Sequence, residues 1–218
     1  MKIATWNIER LKTRKISNLI LKETKSINAD ILILTEYNHL ELDDYGFKVE
    51  TKNLPATGSC NYSKTERRVV IFSKYPVVSA FETYDNSTSC CAEFKTPNGS
   101  LIVYGSIVGI LGNRDKNFNS ELDMQINDIN KFHKKGNFCY AGDLNMSFSD
   151  NYYYTKDGRK KFIDCFQKNN LINLTEKVKE SIDHIIVNEN FLKNSKVDIY
   201  EWNTDKKLSD HKGICVEF

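Results

Sequence analysis

The order of the predicted elements favours an α+β protein in which β-sheets are covered by helices. The chain opens with a strand, a helix and a strand, carries hairpin signals in its middle, and alternates helices with strands towards its end. Its longest apolar runs, such as residues 69–72, have the length of single strands. With 218 residues and no low-complexity linker or internal repeat, the chain is expected to form one domain over residues 1–218.

The first half of the chain combines one helix pattern with several strand patterns. Residues 2–7 are predicted to form a strand, and apolar residues at helical spacing predict a helix over about residues 13–28. Asn98 and Gly99, between two apolar runs, are a strong hairpin signal. The other strands predicted in this half cover residues 30–35, 68–73, 77–81, 90–95 and 101–108.

In the second half of the chain, helix patterns alternate with strand patterns. Apolar residues share one helical face between residues 122 and 133, and residues 160–169 are also predicted to be helical. Polar residues cluster where the strands end, which is where rigid scaffolds present chemistry. The strands predicted here cover residues 137–141, 182–187, 197–202 and 213–218.

Composition argues against a membrane-embedded chain and favours a cytoplasmic protein. Apolar residues make up 40% of the sequence, and no apolar run approaches the roughly 20 residues that span a bilayer. Residues 1–7 lack the apolar region of a secretory signal. The six cysteines, none in a CxxC pair, are therefore expected to be reduced and mostly buried, with Cys90 and Cys91 on opposite faces of a strand.

The net charge of +2 neither requires nor excludes a nucleic-acid partner. Basic residues do form local clusters, although each cluster alone is better explained as a solvated face. The clusters are Lys12, Arg14 and Lys15; Lys131, Lys134 and Lys135; Arg159, Lys160 and Lys161; and Lys206 and Lys207.

Acidic residues follow the first two strands. Asn7 and Glu9 lie two positions apart, so strand alternation places them on one side, and an amide beside a carboxylate suits a hard metal ion. Glu36 follows four buried apolar residues, where a carboxylate is costly unless it is paired or metal-bound. A polar strand terminus would also explain Asn7 and Glu9, and a helix N-terminus or a lysine could satisfy Glu36.

A third segment ends a predicted strand in Gly142, Asp143 and Asn145. Gly142 permits a close approach of the backbone. An Asx-turn is one explanation for the two polar side chains. Alternatively, both side chains meet one phosphoryl group, with Asp143 handling a water molecule and Asn145 donating to an oxygen.

Two aspartate–histidine dipeptides complete the set, Asp183-His184 and Asp210-His211. A carboxylate that orients an imidazole fixes its tautomer and raises its basicity, which is the pairing of histidine catalysis. The sequence leaves open which aspartate meets which histidine.

The order of these five segments resembles the endonuclease/exonuclease/phosphatase superfamily. Residues 69–77 look like its apolar strand followed by a Ser-Lys-Tyr-Pro turn, and residues 142–145 and 209–211 are the most specific matches. The resemblance covers essentially the whole chain. It implies a four-layer α/β/β/α sandwich, with two mixed β-sheets flanked by helices and the site at one edge of the sandwich.

The resemblance also implies a metal site and its ligands. Glu36 would be the main Mg²⁺ ligand, with Mn²⁺ as a possible substitute, and Glu9 and Asn7 would assist it. Asp210 would support the metal edge. These assignments are transferred by motif position.

Catalytic roles are implied in the same way. His211 would be the general base or the phosphate contact, with Asp183 orienting it. Asp143 would position or deprotonate the attacking water, and Asn145 would stabilise charge on the phosphorane oxygens. By strand alternation His184 faces away from Asp183, and it is expected to be a packing residue.

The sequence departs from the family pattern at one place. Relatives usually carry a histidine or tyrosine where the central strand ends, and residues 103–110 contain no histidine and have their tyrosine early in the strand. Ser106 on the strand, or Asn113 or Arg114 on the following loop, could supply the contact with the substrate phosphate. Arg114 suits it because a guanidinium holds phosphate oxygens bidentately, although an exposed loop arginine is an equal explanation.

The expected activity is Mg²⁺-dependent hydrolysis of phosphoester bonds by in-line attack of an activated water molecule. Nucleic-acid phosphodiesters are the expected substrate of an endo- or exonuclease, because the basic clusters and aromatic residues could hold backbone and bases. A monomer is expected, although the sequence leaves the oligomeric state open. The alternatives are a phosphatase or phosphodiesterase of a small phosphorylated molecule and a non-catalytic binding protein that kept the fold. The aromatic residues are Trp6, Tyr62, Trp202 and Tyr152 to Tyr154.

Overall fold

A computed structural model describes residues 1–11, 14–54, 62–193 and 195–218, with the side chains of residues 14 and 15 excepted. Cys60 and Lys12 lie outside the described residues. The strands in chain order are β1 (Lys2–Asn7), β2 (Ile31–Tyr37), β3 (Phe47–Glu50), β4 (Arg67–Ser73), β5 (Val77–Phe81), β6 (Ser89–Thr96), β7 (Gly99–Ile107), β8 (Asn137–Asp143), β9 (Leu171–Asn173), β10 (Asp183–Asn188), β11 (Asp198–Trp202) and β12 (Gly213–Glu217).

The helices are α1 (Arg14–Ile27), α2 (Phe118–Phe132), α3 (Lys156–Lys168) and the single turn α4 (Glu189–Leu192). Two 3₁₀ turns, Glu9–Leu11 and His133–Lys135, follow β1 and α2. In α3 the Thr155 side chain accepts the Gly158 N–H, which satisfies a backbone donor that the first turn leaves free.

The strands form two six-stranded sheets, both of which mix parallel and antiparallel pairs. The first sheet has the order β11-β12-β1-β2-β4-β3 and the second has the order β5-β6-β7-β8-β10-β9. The parallel pairs include β1 with β2 and β7 with β8, and each pair is joined through a helix, α1 or α2. The predicted hairpin at Asn98 and Gly99 is confirmed, because β6 and β7 pair in antiparallel register up to Thr96 opposite Gly99.

Strand alternation divides the apolar residues into three layers. Ile3, Ile33 and Val103 belong to the core between the two sheets. The outer face of the first sheet, with Trp6, packs against α1, and the outer face of the second sheet packs against α2 and α3. The result is the predicted four-layer α/β/β/α sandwich.

The structure extends the sequence-based assignment at several places. Strands β3 and β9 were not predicted: β3 pairs only with β4, and β9 has three residues. The described cysteines are free and buried, with Cys90 between the sheets and Cys91 facing α2, as expected for the adjacent pair. Among the described residues, no helix is both long and apolar enough to cross a membrane.

Candidate active site

The core between the sheets becomes polar at one end. On β1, β8 and β10 the positions facing the opposite sheet change from apolar residues to Asn7, Asp143 and Asp183. All three side chains are at most 3% exposed. Asp183 and Asp143 are directly paired across the antiparallel strands β10 and β8, so two buried carboxyl groups are adjacent by sheet register.

Glu36 reaches the same place through an unusual backbone conformation. Strict alternation along β2 would put Glu36 on the outer face with Leu34. Glu36 instead has a φ of 45°, in the left-handed region that few residues other than glycine adopt, and its carboxylate contacts Asn7. Glu9 and Asn145, near the ends of β1 and β8, also have positive φ, of 45° and 49°. Such conformations often occur at functional sites.

Asn7 connects the two sheets at this end. Its Nδ2 donates to Glu36 Oε1 at 3.3 Å and to Asp143 Oδ2 at 3.1 Å. Its Oδ1 accepts the Glu9 N–H at 3.0 Å, and its backbone oxygen accepts the Ser209 hydroxyl at 2.6 Å. The side chain therefore holds two carboxylates next to each other while the loop before His211 is tied to β1.

His211 is paired with Asp183. Its Nδ1 lies 2.6 Å from Asp183 Oδ2, so an ionised Asp183 makes Nδ1 the proton donor and leaves Nε2 for the pocket. The backbone oxygen of His211 accepts from Trp6 Nε1 at 3.0 Å and from Asn203 Nδ2 at 2.7 Å. Asp210 Oδ1 is 3.6 Å from His211 Nε2, beyond hydrogen-bond length, and the Asp210 side chain is 68% exposed.

Burial and neighbouring charges shift the pKa values of the groups at this site. Burial raises the pKa of Asp143 to about 6, although attraction to His211 opposes the rise. Burial raises the pKa of Asp183 and of Glu36 as well. For His211, burial favours the neutral imidazole, but Asp183 and Asp143 outweigh it and raise its pKa to about 10. These residues, Asn7, Glu36, Asp143, Asp183 and His211, are called the site cluster below.

The site cluster fits a divalent cation. The buried Oδ1 of Asp183 has no hydrogen-bond partner, which is costly for a carboxylate unless a cation approaches it. The ligand atoms of Asp143, Asp183 and His211 all lie within 4.8 Å of one another, and in the described part of the chain no other His, Cys, Asp or Glu group meets this criterion. Oxygen donors of this kind suit Mg²⁺, Mn²⁺ or Ca²⁺.

The four predicted metal ligands form two contacting pairs. Glu36 touches Asn7, and Glu9 Oε2 accepts the Asp210 N–H at 3.3 Å. The structure therefore brings all four to the same end of β1 but not into one tight cage, and Asp143, which was predicted as a catalytic residue, also contacts Asn7.

The fold and the motif order together establish the family. A sequence profile of the Endonuclease/Exonuclease/phosphatase family matches residues 4–211. The chain belongs to this family. Its members are metal-dependent phosphoesterases that include nucleases and phosphatases, and the chain is a metal-dependent phosphoric ester hydrolase.

Solved structures of the same architecture resemble it over their full lengths. An AP endonuclease from Archaeoglobus fulgidus superposes with a TM-score of 0.71 at 15% identity, covering 100% of this chain and 99% of that one. A 3′ phosphatase, NExo from Neisseria bound to a product DNA hairpin, gives 0.70 at 17% identity with the same coverage. A mutant beta toxin from Staphylococcus aureus with bound magnesium ions gives 0.64 at 17%, covering 99% and 98%. No match was found among curated proteins.

The side chain of Asn145, which was predicted to stabilise charge on the phosphorane oxygens, has hydrogen-bond partners within the protein. Its Nδ2 donates to the backbone oxygens of Val108 at 2.9 Å and Gly109 at 3.2 Å. Its backbone N–H donates to Asp143 Oδ1 at 3.0 Å, which is the Asx-turn that the sequence left open. The side-chain amide protons that would stabilise phosphate oxygens are therefore bonded to the loop after β7, although Asn145 does line the pocket.

The three residues predicted to contact the substrate phosphate differ in their surroundings. Ser106 is on the face of β7 that also carries Tyr104, and its hydroxyl donates to Gln125 Oε1 at 2.6 Å under α2. Asn113 is buried and donates to the backbone oxygen of Asn145 at 2.8 Å. Arg114 is exposed on the loop. The prediction for Ser106 was wrong because an even position on β7 faces the helices.

Ser106 belongs to a buried polar group that we call the helix-side cluster. Its members lie between the second sheet and α2, and none of their side chains lines the site pocket. They are Tyr104, Ser106, Gln125, Asp128 and Tyr140.

A pocket of about 270 Å³ opens beside His211 and Asp183. Asn145 and Asp210, which the sequence predicted as site residues, also line it. The sequence did not place Tyr152, Tyr153 or Lys206 at the site individually, although they belong to the aromatic and basic groups described above. Trp6 and Trp202, which the sequence suggested could hold bases, are instead buried. They pack edge to face with ring centroids 5.6 Å apart. Further lining residues are Glu180, Ser181, Ile182 and Lys212.

His184 is a packing residue, as expected. It is fully buried on the opposite face of β10, with Nδ1 2.9 Å from Thr175 Oγ1 and Nε2 3.0 Å from the Met146 backbone oxygen. Burial lowers its pKa to about 4, so it stays neutral.

Proposed function

We propose that this chain hydrolyses phosphodiester bonds of nucleic acid with Mg²⁺, which Mn²⁺ could replace. The observation that carries the proposal is the Asp183–His211 pair, which faces a second buried carboxylate, Asp143, with one carboxylate oxygen unpartnered. Such a group is costly to bury unless it binds a cation and a polar substrate.

Glu36, with Asn7 and Asp143 beside it, would hold the cation, and Glu9 and Asp210 would support its outer edge. When bound, Mg²⁺ supplies positive charge to the non-bridging phosphate oxygens and offsets the charge that develops there. The raised pKa values of Glu36 and Asp143 support this assignment, because a bound cation stabilises the ionised forms that burial disfavours.

The charge states divide the remaining roles between Asp143 and His211. With a pKa of about 6, Asp143 is ionised at neutral pH and can accept the proton of an attacking water. With a pKa of about 10, His211 is an imidazolium at neutral pH, so it suits a phosphate contact and a proton donor. Of the two roles that the family implies for His211, this charge favours the phosphate contact, with Asp183 holding the ring in place.

The groups around the pocket favour a nucleic-acid substrate over a small phosphoester. Lys206, Lys212 and Tyr152 line the same pocket as His211, which places cations and an aromatic ring next to the reacting phosphate. Two structural relatives act on or bind DNA by their descriptions, the AP endonuclease and the phosphatase bound to a DNA hairpin. The pocket of about 270 Å³ is small, which is the observation that keeps a small phosphorylated molecule as the second candidate.

A substrate panel tests the proposal. Plasmid DNA, single-stranded DNA, RNA, an abasic duplex and inositol phosphates would each be incubated with Mg²⁺ and with a chelator. We expect that at least one nucleic acid is cleaved and that its cleavage stops when chelator is added. Binding of this substrate should weaken steeply as the salt concentration rises. Turnover of inositol phosphates alone would favour the second candidate. Cation binding without turnover of any substrate would favour a non-catalytic binding protein.

A further inference from the structure

Two side chains from distant parts of the chain meet at the wall of the pocket. Lys206 Nζ donates to the Tyr152 hydroxyl at 2.8 Å and lies 4.3 Å from the centroid of its ring. Both residues line the pocket that also contains His211 and Asp183. Tyr152 is nevertheless 50% exposed, so much of its ring remains accessible to a ligand.

The backbone around each residue is held in place. Asp150 Oδ1 accepts the Tyr152 N–H at 3.0 Å, and Asp150 Oδ2 accepts the Glu180 N–H at 2.8 Å, which ties this loop to the one before β10. Lys206 has a left-handed backbone with φ 54°, and its N–H donates to the Asn203 oxygen at 2.9 Å. The ring and the ammonium are therefore presented by anchored loops, which lowers the ordering cost of binding.

Lys206 differs from the neighbouring lysines in its partner. Lys207 pairs with Asp205 at 2.6 Å, and Lys212 pairs with Glu201 at 3.1 Å. Within the described ranges Lys206 has no carboxylate within ion-pair distance, and its ammonium rests on Tyr152 instead. A cation without a carboxylate partner beside a phosphate-binding pocket is available to a second phosphate of the substrate.

We propose that Tyr152 and Lys206 form a clamp for the nucleotide that adjoins the scissile phosphate. The Tyr152 ring stacks on its base, and the Lys206 ammonium contacts the next phosphate along the strand. Because a base within a duplex already has both faces stacked, the clamp selects single-stranded or unpaired nucleic acid. This inference rests on the proposed nuclease function.

The test measures binding separately from cleavage. Fluorescence anisotropy with a labelled single-stranded DNA decamer in chelator gives the dissociation constant without turnover. With Mg²⁺, kcat/KM is measured for the same decamer and for bis(p-nitrophenyl) phosphate, which has no neighbouring nucleotide. Tyr152→Ala is expected to weaken decamer binding about 5- to 100-fold. It should also lower kcat/KM for the decamer by a similar factor, about 5- to 100-fold, relative to the small ester.

The chain offers a matched control in Tyr200. Its side chain is 47% exposed, and Lys2 Nζ lies 5.8 Å from its ring, but it is on β11 and outside the pocket. Tyr200→Ala is expected to change both measurements less than 2-fold. Tyr152→Phe, which keeps the ring and removes the hydroxyl, should restore most of the binding and guards against a folding defect in the alanine variant.

Lys206 is tested by salt dependence. Lys206→Met should reduce the slope of log binding constant against log salt by about 0.7, the value for one phosphate contact on a single strand, and Lys207→Met should not. Equal effects of Tyr152→Ala and Tyr200→Ala, or of the two lysine variants, would overturn the clamp while leaving the nuclease function intact. If the unaltered protein cleaves only the small ester and binds no decamer, both proposals fail together.

Discussion

The second sheet carries a buried polar cluster on each of its faces, and the two clusters differ in how their charges are satisfied. In the helix-side cluster, Asp128 Oδ2 accepts from the Tyr84 N–H at 2.7 Å and from the Tyr104 hydroxyl at 3.3 Å. Gln125 accepts from Ser106 and Tyr140 and donates to the Ile107 backbone oxygen at 2.9 Å. Its buried polar atoms are bonded to one another, as stable interiors require.

In the site cluster on the opposite face, Asn7, Asp143 and Asp183 are equally buried, but the charged groups are not satisfied in the same way. Three carboxyl groups, Glu36, Asp143 and Asp183, share one imidazole, and an oxygen of Asp183 has no partner. Glu36 also has a left-handed backbone. Burial alone therefore does not mark the site, whereas the crowding of three carboxyl groups, one of them with an unpartnered oxygen, does. The predictions below test whether one cluster serves activity and the other serves stability.

The largest expected effect is on activity, from the site cluster. His211→Gln and Asp183→Asn should each lower kcat/KM by about 10²- to 10⁴-fold, because each removes a charged group that contacts or orients at the reacting phosphate. Asp183→Asn should lower the melting temperature by no more than a few degrees, since it removes one of three crowded buried carboxyl groups. His211→Gln should lower it further, because it removes the imidazolium that these carboxyl groups share. Steady-state kinetics and thermal unfolding of the same samples check this. If both variants failed to fold, the site cluster would serve stability rather than activity, which would contradict the comparison.

The next effect is on the pH dependence of folding stability, measured in the presence of a chelator that removes divalent cations. An unfolded chain releases the Asp143 proton near its ordinary pKa, while the folded protein keeps it up to about pH 6. The folded state then binds more protons between about pH 4 and 6, so stability falls as pH rises through that range, by at most about 3 kcal/mol. The raised pKa of His211 adds stability that persists through this window and is lost only towards pH 10.

Asp143→Asn removes the part of the pH-dependent loss of folding stability that comes from Asp143. Urea unfolding between pH 4 and 7 should show the variant gaining stability relative to the unaltered protein as pH rises. Identical pH profiles for the two proteins would mean that Asp143 does not carry this charge penalty. The measurement requires chelator, because a bound cation would stabilise the ionised carboxylate.

Cation binding should stabilise the protein by a similar amount. At a Mg²⁺ concentration of about 100 times its dissociation constant, the free energy of unfolding should rise by about 2.7 kcal/mol. For a chain of this size that corresponds to an increase in melting temperature of about 5–10 °C. Glu36→Gln should lose most of the increase. An equal increase in both proteins would locate the cation outside the site cluster.

The smallest expected effect comes from the helix-side cluster and is one of stability. Gln125→Leu leaves the hydroxyls of Ser106 and Tyr140 without their acceptor, which should cost about 1–3 kcal/mol. Activity per folded molecule should stay within a few-fold, because Gln125 does not line the pocket. Denaturant unfolding and kinetics on the folded fraction measure both. A loss of activity as large as that of His211→Gln would remove the distinction between the clusters.

Much of the fold follows from apolar alternation alone. The inner strands β1, β2 and β8 are apolar enough to be predicted within two or three residues at each end, and the same alternation predicts that His184 packs away from the site. The short edge strands β3 and β9 were missed because their extended conformation depends on pairing with one neighbouring strand, β4 or β10, rather than on their own sequence pattern.

The site was partly predictable for the same reason. Asn7, Asp143 and Asp183 continue apolar stripes that face the other sheet, so their convergence is a consequence of strand parity. Ser106 has the wrong parity, and Glu36 reaches the site only through a left-handed residue, which a single sequence does not reveal. The family resemblance implied the pairing of Asp183 with His211, but their spacing of 28 positions does not reveal it, because the contact depends on tertiary structure.

Hydrolysis of a generic phosphodiester with and without chelator tests the central claim most directly, namely that the unsatisfied charge of the site cluster is a cation-dependent catalytic site. The account predicts that turnover of bis(p-nitrophenyl) phosphate stops with chelator, returns with Mg²⁺, and falls at least 100-fold in His211→Gln with folding intact. Turnover that persists in chelator, or a His211→Gln variant with near-normal rates, would contradict it.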